Sequence, residues 1–197
     1  TIDSVRQDKD ITLTSLSIKG FASLEGSYAA NERLARGRTL SLKSHVEKLY
    51  AFPKDFIKTS WEAEDWAGLR EYVAGSPLKN WDAILAIIDG DLKPDAKEWK
   101  LKSTYPADYR TLLAEVYPGL RHSDYRVDYV IRQFSDVEEI RRLVVSDPQK
   151  LSLNEFYIAA QSYEAGSEDF IRVMETAVKV YSDDSVANLN AANASLL

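Results

Sequence analysis

The stretch GFASLEGSYAANERLARGR, residues 20–38, gathers three glycines, an asparagine and three arginines between a strand-like run and a helix-like one. Such a junction suits anion binding, because Gly20 and Gly26 can free backbone N–H groups near a helix N-terminus. Read singly, each glycine more simply ends a strand or permits a tight turn. Asn31, Leu34 and Arg38 are spaced by three and four and so share a helix face. Arg38 precedes Leu42 by four, at the rim of an apolar stripe, where its side chain can point into a groove between helix and sheet. The same side chain can instead lay its stem over the core and keep its head in water, and Arg33, Arg36 and Arg38 can form a solvated face. The pattern is neither a Walker loop, lacking Gly-Lys-Ser/Thr, nor a G-x-G-x-x-G fingerprint.

Other chemistry-bearing residues are sparser. DGDLKPDAKE (89–98) spaces Asp89, Asp91, Asp95 and Glu98 along a loop, but Pro94 falls where a calcium loop needs glycine. A surface loop without metal is expected. His45 and His122 stand in no zinc or triad setting, and His45 falls off the buried stripe of its helix. With no cysteine and no nucleophile elbow, the expectation is a protein that is not an enzyme and carries no cofactor. Trp61, Trp66, Trp81 and Trp99 can stack on sugars or pack a subdomain core, and packing is expected.

Composition narrows the classes. The 197 residues are 45% apolar, which supports a real core, and a net charge of −6 argues against a nucleic-acid partner. No run approaches the roughly 18 apolar residues of a membrane span, and TIDSVRQDKD does not read as a signal peptide. The first residue is not Met, so an excised piece or a processed chain is expected. Absent cysteines exclude disulfides and thiolate metal sites.

Several elements must position these residues. ITLTSLSIK (11–19) alternates with period two but changes phase at Ser15, which predicts a strand with a bulge. Ala29–Tyr50 is the longest helical pattern, its stripe made by Ala35, Thr39, Leu42, Val46 and Leu49, and Pro53 stops it. FIKTSW (56–61) reads as a second strand. Thr59 and Glu62 have the spacing of a capping box for a helix ending at Gly75. Asn80 and Gly90 bound another helix, DLKPDAKEW reads as a loop, and Pro106 opens a helix. YRVDYVIRQF (125–134) places Tyr125, Val127, Tyr129 and Ile131 on one face of a last strand. Four helical runs follow from Asp136, with Ser152 and Glu155 as a capping box and Ser167 as a cap.

Gly20, Gly26, Asn31, Leu34 and Arg38, following a strand, resemble the peptidoglycan-associating OmpA-like family of Gram-negative envelopes. DYRVDYVI (124–131) resembles that family's closing strand, with Arg126 on its second arginine. The resemblance implies an α+β fold, a mixed β-sheet with helices packed on one face, over residues 1–135, with an insertion at about 60–105. It implies non-enzymatic binding of the peptidoglycan stem peptide, in which an aspartate and a helix arginine pair with the ammonium and carboxylate of diaminopimelate. Arg38 supplies the arginine. Ser23 occupies the aspartate position, and it offers a hydrogen bond without charge; Glu25 replaces the aspartate if the loop turns it inward. The implied ligand-binding set is Ser23, Glu25, Asn31, Arg38 and Arg126. The implied location is periplasmic and outer-membrane associated.

Residues 136–197 resemble the start of tetratricopeptide-like repeats, with Ala159, Ala160, Ala177, Ala187, Ala191 and Ala192 allowing helices to approach closely. Protein partners are expected through this tail. The pattern at ASLL leads us to expect further repeats and a frayed or partnered last helix. The alternative to wall binding is an envelope scaffold that keeps the fold, has lost the site at Ser23, and binds proteins through its repeats.

Overall fold

A computed structural model of the chain describes residues 2–194. Phase and propensity dominate the first half. A short helix α1 (Ile2–Gln7), which the sequence reading lacked, precedes strand β1 (Ile11–Phe21). Helix α2 (Tyr28–Leu49) crosses to β2 (Ile57–Glu62), which pairs parallel to β1 with Leu16 opposite Ile57 and Phe21 opposite Glu62. Strand β3 (Ser123–Ile131) completes a three-stranded mixed sheet of order β2-β1-β3. Phe21 N donates to His122 O and Arg132 N to Asp10 O, so β3 runs antiparallel to β1. Between those bonds β1 advances eleven residues (Asp10 to Phe21) and β3 ten (His122 to Arg132), so β1 carries one extra residue. The burial alternation of β1 changes phase between Ser15 and Leu16, in keeping with that surplus.

Two compact units form. The first comprises residues through Gln7 together with Leu13–Tyr129, and the second Asp8–Thr12 together with residues from Val130 onward. The division therefore falls at Val130 and not at the expected 135/136, and the second unit recruits a segment of five residues from near the start of the chain.

In the first unit, α2 lies on one face of the sheet. Leu16, Ile18 and Ile57 meet Val46, with Leu42 and Val127 packed alongside. The approach is close: a Cβ on Gly20 would stand 2.1 Å from Thr39 Oγ1 and 3.3 Å from Ala35 O. Leu49, expected on the buried stripe, is 61% exposed.

A second, larger core belongs to α3 (Trp66–Ala74), α4 (Trp81–Asp89), α5 (Pro94–Thr104) and α6 (Pro106–Thr111), which continues into one π-helical turn, Leu112–Val116. Leu69, Val73, Ile84, Leu101, Leu112 and Tyr117 are its buried centre, and Leu24 and Leu120 join it. The segment with its own core thus extends to Leu120, beyond the expected 60–105. Thr59 and Glu62 form no capping box, since both lie in β2; α3 is capped by Asp65, whose Oδ1 accepts from Gly68 N at 2.8 Å. The run expected to be a loop at 91–99 becomes helix from Pro94, because proline is well suited to a first helical turn. The tryptophans do not form the core. Trp66 packs partly against it, whereas Trp61, Trp81 and Trp99 are exposed, Trp99 by 70%.

The second unit holds α7 (Val137–Ser146), α8 (Leu153–Gln161), α9 (Glu168–Val180) and α10 (Ser185–Ala194). Phe134, Ile140, Phe156, Val173 and Ala177 centre its core, and Ala159, Ala160 and Ala187 are buried as close helix packing requires. Ala191 is only half-buried. Ser152 and Glu155 form the capping box, and Ser167 caps α9 through Phe170 N. Glu155 is buried yet satisfied: its carboxylate accepts from Phe134 N, Ser152 N and Ser152 Oγ at 2.6–2.7 Å. The end of ASLL lies outside the described residues.

Gly20→Ala is expected to destabilise the chain by about 2 kcal/mol through overpacking. Gly37→Ala, with nothing within 4 Å of its Cβ, is expected to stabilise α2 by about 0.5–1 kcal/mol. Urea titrations of the two variants check both signs.

Candidate functional site

The β1–α2 loop is built around buried positions. Ala22, Ser23 and Leu24 turn inward after Phe21, and Gly26 adopts a left-handed φ of 101°, which a residue without Cβ reaches readily. Ser23 Oγ accepts from Glu25 N at 3.1 Å, which closes the turn. Ser27 caps α2 by accepting from Ala30 N. Tyr28 N, a free donor at the same helix end, donates to Asp95 Oδ1 at 2.7 Å, tying α2 to the first turn of α5.

Beneath this loop lies a buried polar node. Asn31 and Glu64 are each 3% exposed; Asn31 Nδ2 donates to Glu64 Oε1 at 2.9 Å, and Trp66 Nε1 donates to Oε2 at 2.8 Å. Burial pushes the Glu64 carboxyl above the ordinary carboxylate range, against the lowering effect of both hydrogen bonds, and the nearby Asp95 charge adds to the rise.

Beside the loop opens a recess of about 810 Å³. Glu25, Gly26 and Ser27 form one wall. Asp95, Glu98, Trp99 and Lys102 face it from α5, and Tyr109 and Arg110 from α6. Tyr109 OH donates to Glu98 Oε1 at 2.8 Å. Burial raises Glu98 and Tyr109 alike, and each carboxylate nearby makes ionising the phenol harder. Tyr117 is fully buried, its hydroxyl has no hydrogen-bond partner among the described residues, and burial raises it as well. Arg121 Nη2 approaches Glu25 Oε2 at 3.3 Å on the exposed rim. The recess therefore presents carboxylates, two cations and an open indole face, an arrangement suited to a zwitterionic ligand with an apolar or sugar surface. Among the described residues no group of three or more His, Cys, Asp or Glu could hold a metal ion. The acids read as a calcium loop are dispersed accordingly: Asp89 pairs with Arg70, Asp95 with Tyr28 N, and Glu98 with Tyr109.

The residues singled out by sequence divide sharply. Ser23 and Glu25 are hydrogen-bonded neighbours, and a Cβ at Gly26 would lie 3.9 Å from Asn31 Oδ1, so these meet at the loop. Arg38 does not join them. It is exposed, as is Leu34, and among the described residues no hydrogen bond or ion pair engages its guanidinium. Arg36 lies over the Trp61 ring at 5.4 Å, consistent with a surface role for that face. Arg126 sits on β3 with its Nε 2.8 Å from Asp128 Oδ1. His45 is exposed, and His122 stacks on Phe21 with ring centroids 4.5 Å apart. Sequence reasoning missed Lys102, Tyr109 and Arg110; their signal was weak, since only Lys102 stands at helical spacing from Glu98, while Tyr109 and Arg110 come from the next helix, expected from Pro106 but not connected with this loop. Comparison with family models, with curated proteins and with solved structures gives no match.

The raised Glu64 predicts a pH dependence. A carboxyl whose folded value lies above its unfolded one contributes stability that is complete below the unfolded value and is lost as pH rises through the folded value. Glu64→Gln removes that dependence but leaves one of the two donors short of an acceptor, at a cost of about 1–3 kcal/mol. The variant is expected to be less stable at pH 7 and to gain less stability than the native chain on acidification toward pH ~5. Urea unfolding at a series of pH values measures the difference.

Proposed function

We propose that the chain is a non-enzymatic cell-envelope module of OmpA-like architecture whose recess beside the β1–α2 loop binds the peptidoglycan stem peptide. The supporting observation is that the motif loop Glu25–Ser27 walls a recess carrying both signs of charge and the exposed Trp99. A diaminopimelate residue offers an ammonium and carboxylates on one side chain, and neighbouring glycan offers an apolar sugar face. Glu25, Asp95 and Glu98 suit the ammonium, Lys102 and Arg110 suit the carboxylates, and the Trp99 indole suits the sugar. Ser23 and Asn31 support the loop from below. The carboxylate role moves from Arg38 to the α5–α6 cations, because Arg38 lies on the solvent side of its helix. The location that follows is periplasmic and outer-membrane associated. No described helix is long and apolar enough to cross a membrane.

One observation favours a second reading, a scaffold that binds proteins through a tetratricopeptide-like tail. Val145 on α7 and Val186 and Leu189 on α10 are 77%, 51% and 61% exposed, the kind of apolar surface a further helix or partner covers.

Co-sedimentation with purified peptidoglycan separates the two. The native chain and Arg38→Ala are expected to pellet alike, whereas Lys102→Ala with Arg110→Ala is expected to weaken binding by about tenfold or more, as loss of charge-assisted hydrogen bonds implies. Equal, negligible pelleting of all three would leave the scaffold reading standing.

A further inference from the structure

Strand β3 ends the described sheet, and it has few of the usual defences of an edge. Edge strands are ordinarily blunted by proline, lysine or a bulge that twists them away. SDYRVDYVI contains neither residue, and the surplus residue of the β1–β3 pair lies on β1. Tyr125 and Tyr129 are 61% and 49% exposed, and Tyr125 borders an apolar groove of about 250 Å³ that Leu42, Leu49 and Tyr50 also line.

The backbone phase of this edge is fixed. His122 O bonds to Phe21 N, so even-numbered β3 residues direct their backbone groups to β1, and Tyr125, Val127 and Tyr129 direct theirs outward. Ser15 Oγ donates to Asp128 Oδ2 at 2.6 Å, which agrees with that register. An antiparallel two-fold sets one residue against its own copy, and centres on Arg126 or Asp128 would set like charges face to face, which leaves Val127 as the centre at the middle of the strand. Centred on Val127, it sets Val127 against its own copy in a hydrogen-bonded pair. Tyr125 then opposes Tyr129 of the copy, and Arg126 opposes Asp128 of the copy, each pair occurring twice. Aromatic pairs and opposite charges directly across from each other both stabilise a ladder. The strand is its own complement in charge, side-chain shape and backbone phase.

We propose that β3 is a self-association edge: two copies of this chain pair through Tyr125–Tyr129, making one continuous six-stranded sheet with an isologous interface. The contact is independent of the recess by the β1–α2 loop and gives Arg126 a role apart from ligand binding. A single strand pair with flanking tyrosines is small against the area of stable interfaces, so the dimer is expected in the micromolar-to-millimolar range.

Sedimentation equilibrium of the 197-residue chain tests this. A reversible dimer is expected, with amides of Tyr125, Val127 and Tyr129 protected from exchange only at dimer-forming concentration. Arg126→Asp sets carboxylates against carboxylates at both charge pairs and is expected to leave a monomer of unchanged circular dichroism. The exchanged pair R126D with D128R restores opposite charges across the two-fold and is expected to restore the dimer. A chain monomeric at every accessible concentration, a dimer indifferent to R126D, or a double variant that stays monomeric overturns the proposal, as does finding another segment or protein seated on this edge.

Discussion

One buried carboxylate organises the first unit. Glu64 sits out of water immediately after β2, and its two oxygens are met by neutral donors, Asn31 from the first turns of α2 and Trp66 from the start of α3. A charge removed from water without a cationic partner survives only if its hydrogen bonds hold, so the three elements are constrained to one mutual placement. The β1–α2 loop inherits its position from that node. Asp95 extends the constraint by taking the free Tyr28 amide, which brings α5 and its recess-lining side chains to the loop.

The second unit handles charge differently. Asp10 is almost fully buried but meets Arg132 at 2.8 Å and Lys150 at 3.2 Å, and Lys150 also reaches Asp8 at 2.6 Å. The Arg132 hydrogen bond holds Asp10 below the ordinary carboxylate range, and Lys150 does the same for Asp8. Stability from these depressed groups is present above their unfolded values and lost as pH falls through the folded ones, opposite in sense to Glu64. The segment Asp8–Thr12 thereby belongs with residues more than a hundred positions later, a long-range pairing that no local pattern announces.

What the sequence made legible follows from how local each signal is. The helices of the second unit appear where expected because Ser152, Glu155 and Ser167 act within one turn. The strands of the first unit were legible through alternation, including the phase change at Ser15. The Thr59–Glu62 spacing misled because a capping box and a strand edge can share the same four residue types; β2 pairing with β1 overrode it. Pro94 likewise served two readings, loop breaker and first helical residue. The recess was the least legible feature, since its walls come from three elements whose only link in sequence is that each follows or precedes a turn.

Arg38 shows where resemblance and packing part. Asn31, Ala35 and Thr39, four apart, occupy the line of α2 nearest the sheet and are all buried. Arg38 is one residue short of Thr39, about 100° around the helix, which alone would leave it at the rim. The deciding constraint is Gly20. By omitting a Cβ it lets the Thr39 side chain and the Ala35 carbonyl come down onto β1, and Arg38 beside that contact is exposed. A long cationic stem beside such a contact has only the outward direction. Charged side chains of α5 and α6, Lys102 and Arg110 among them, face the loop across the recess instead.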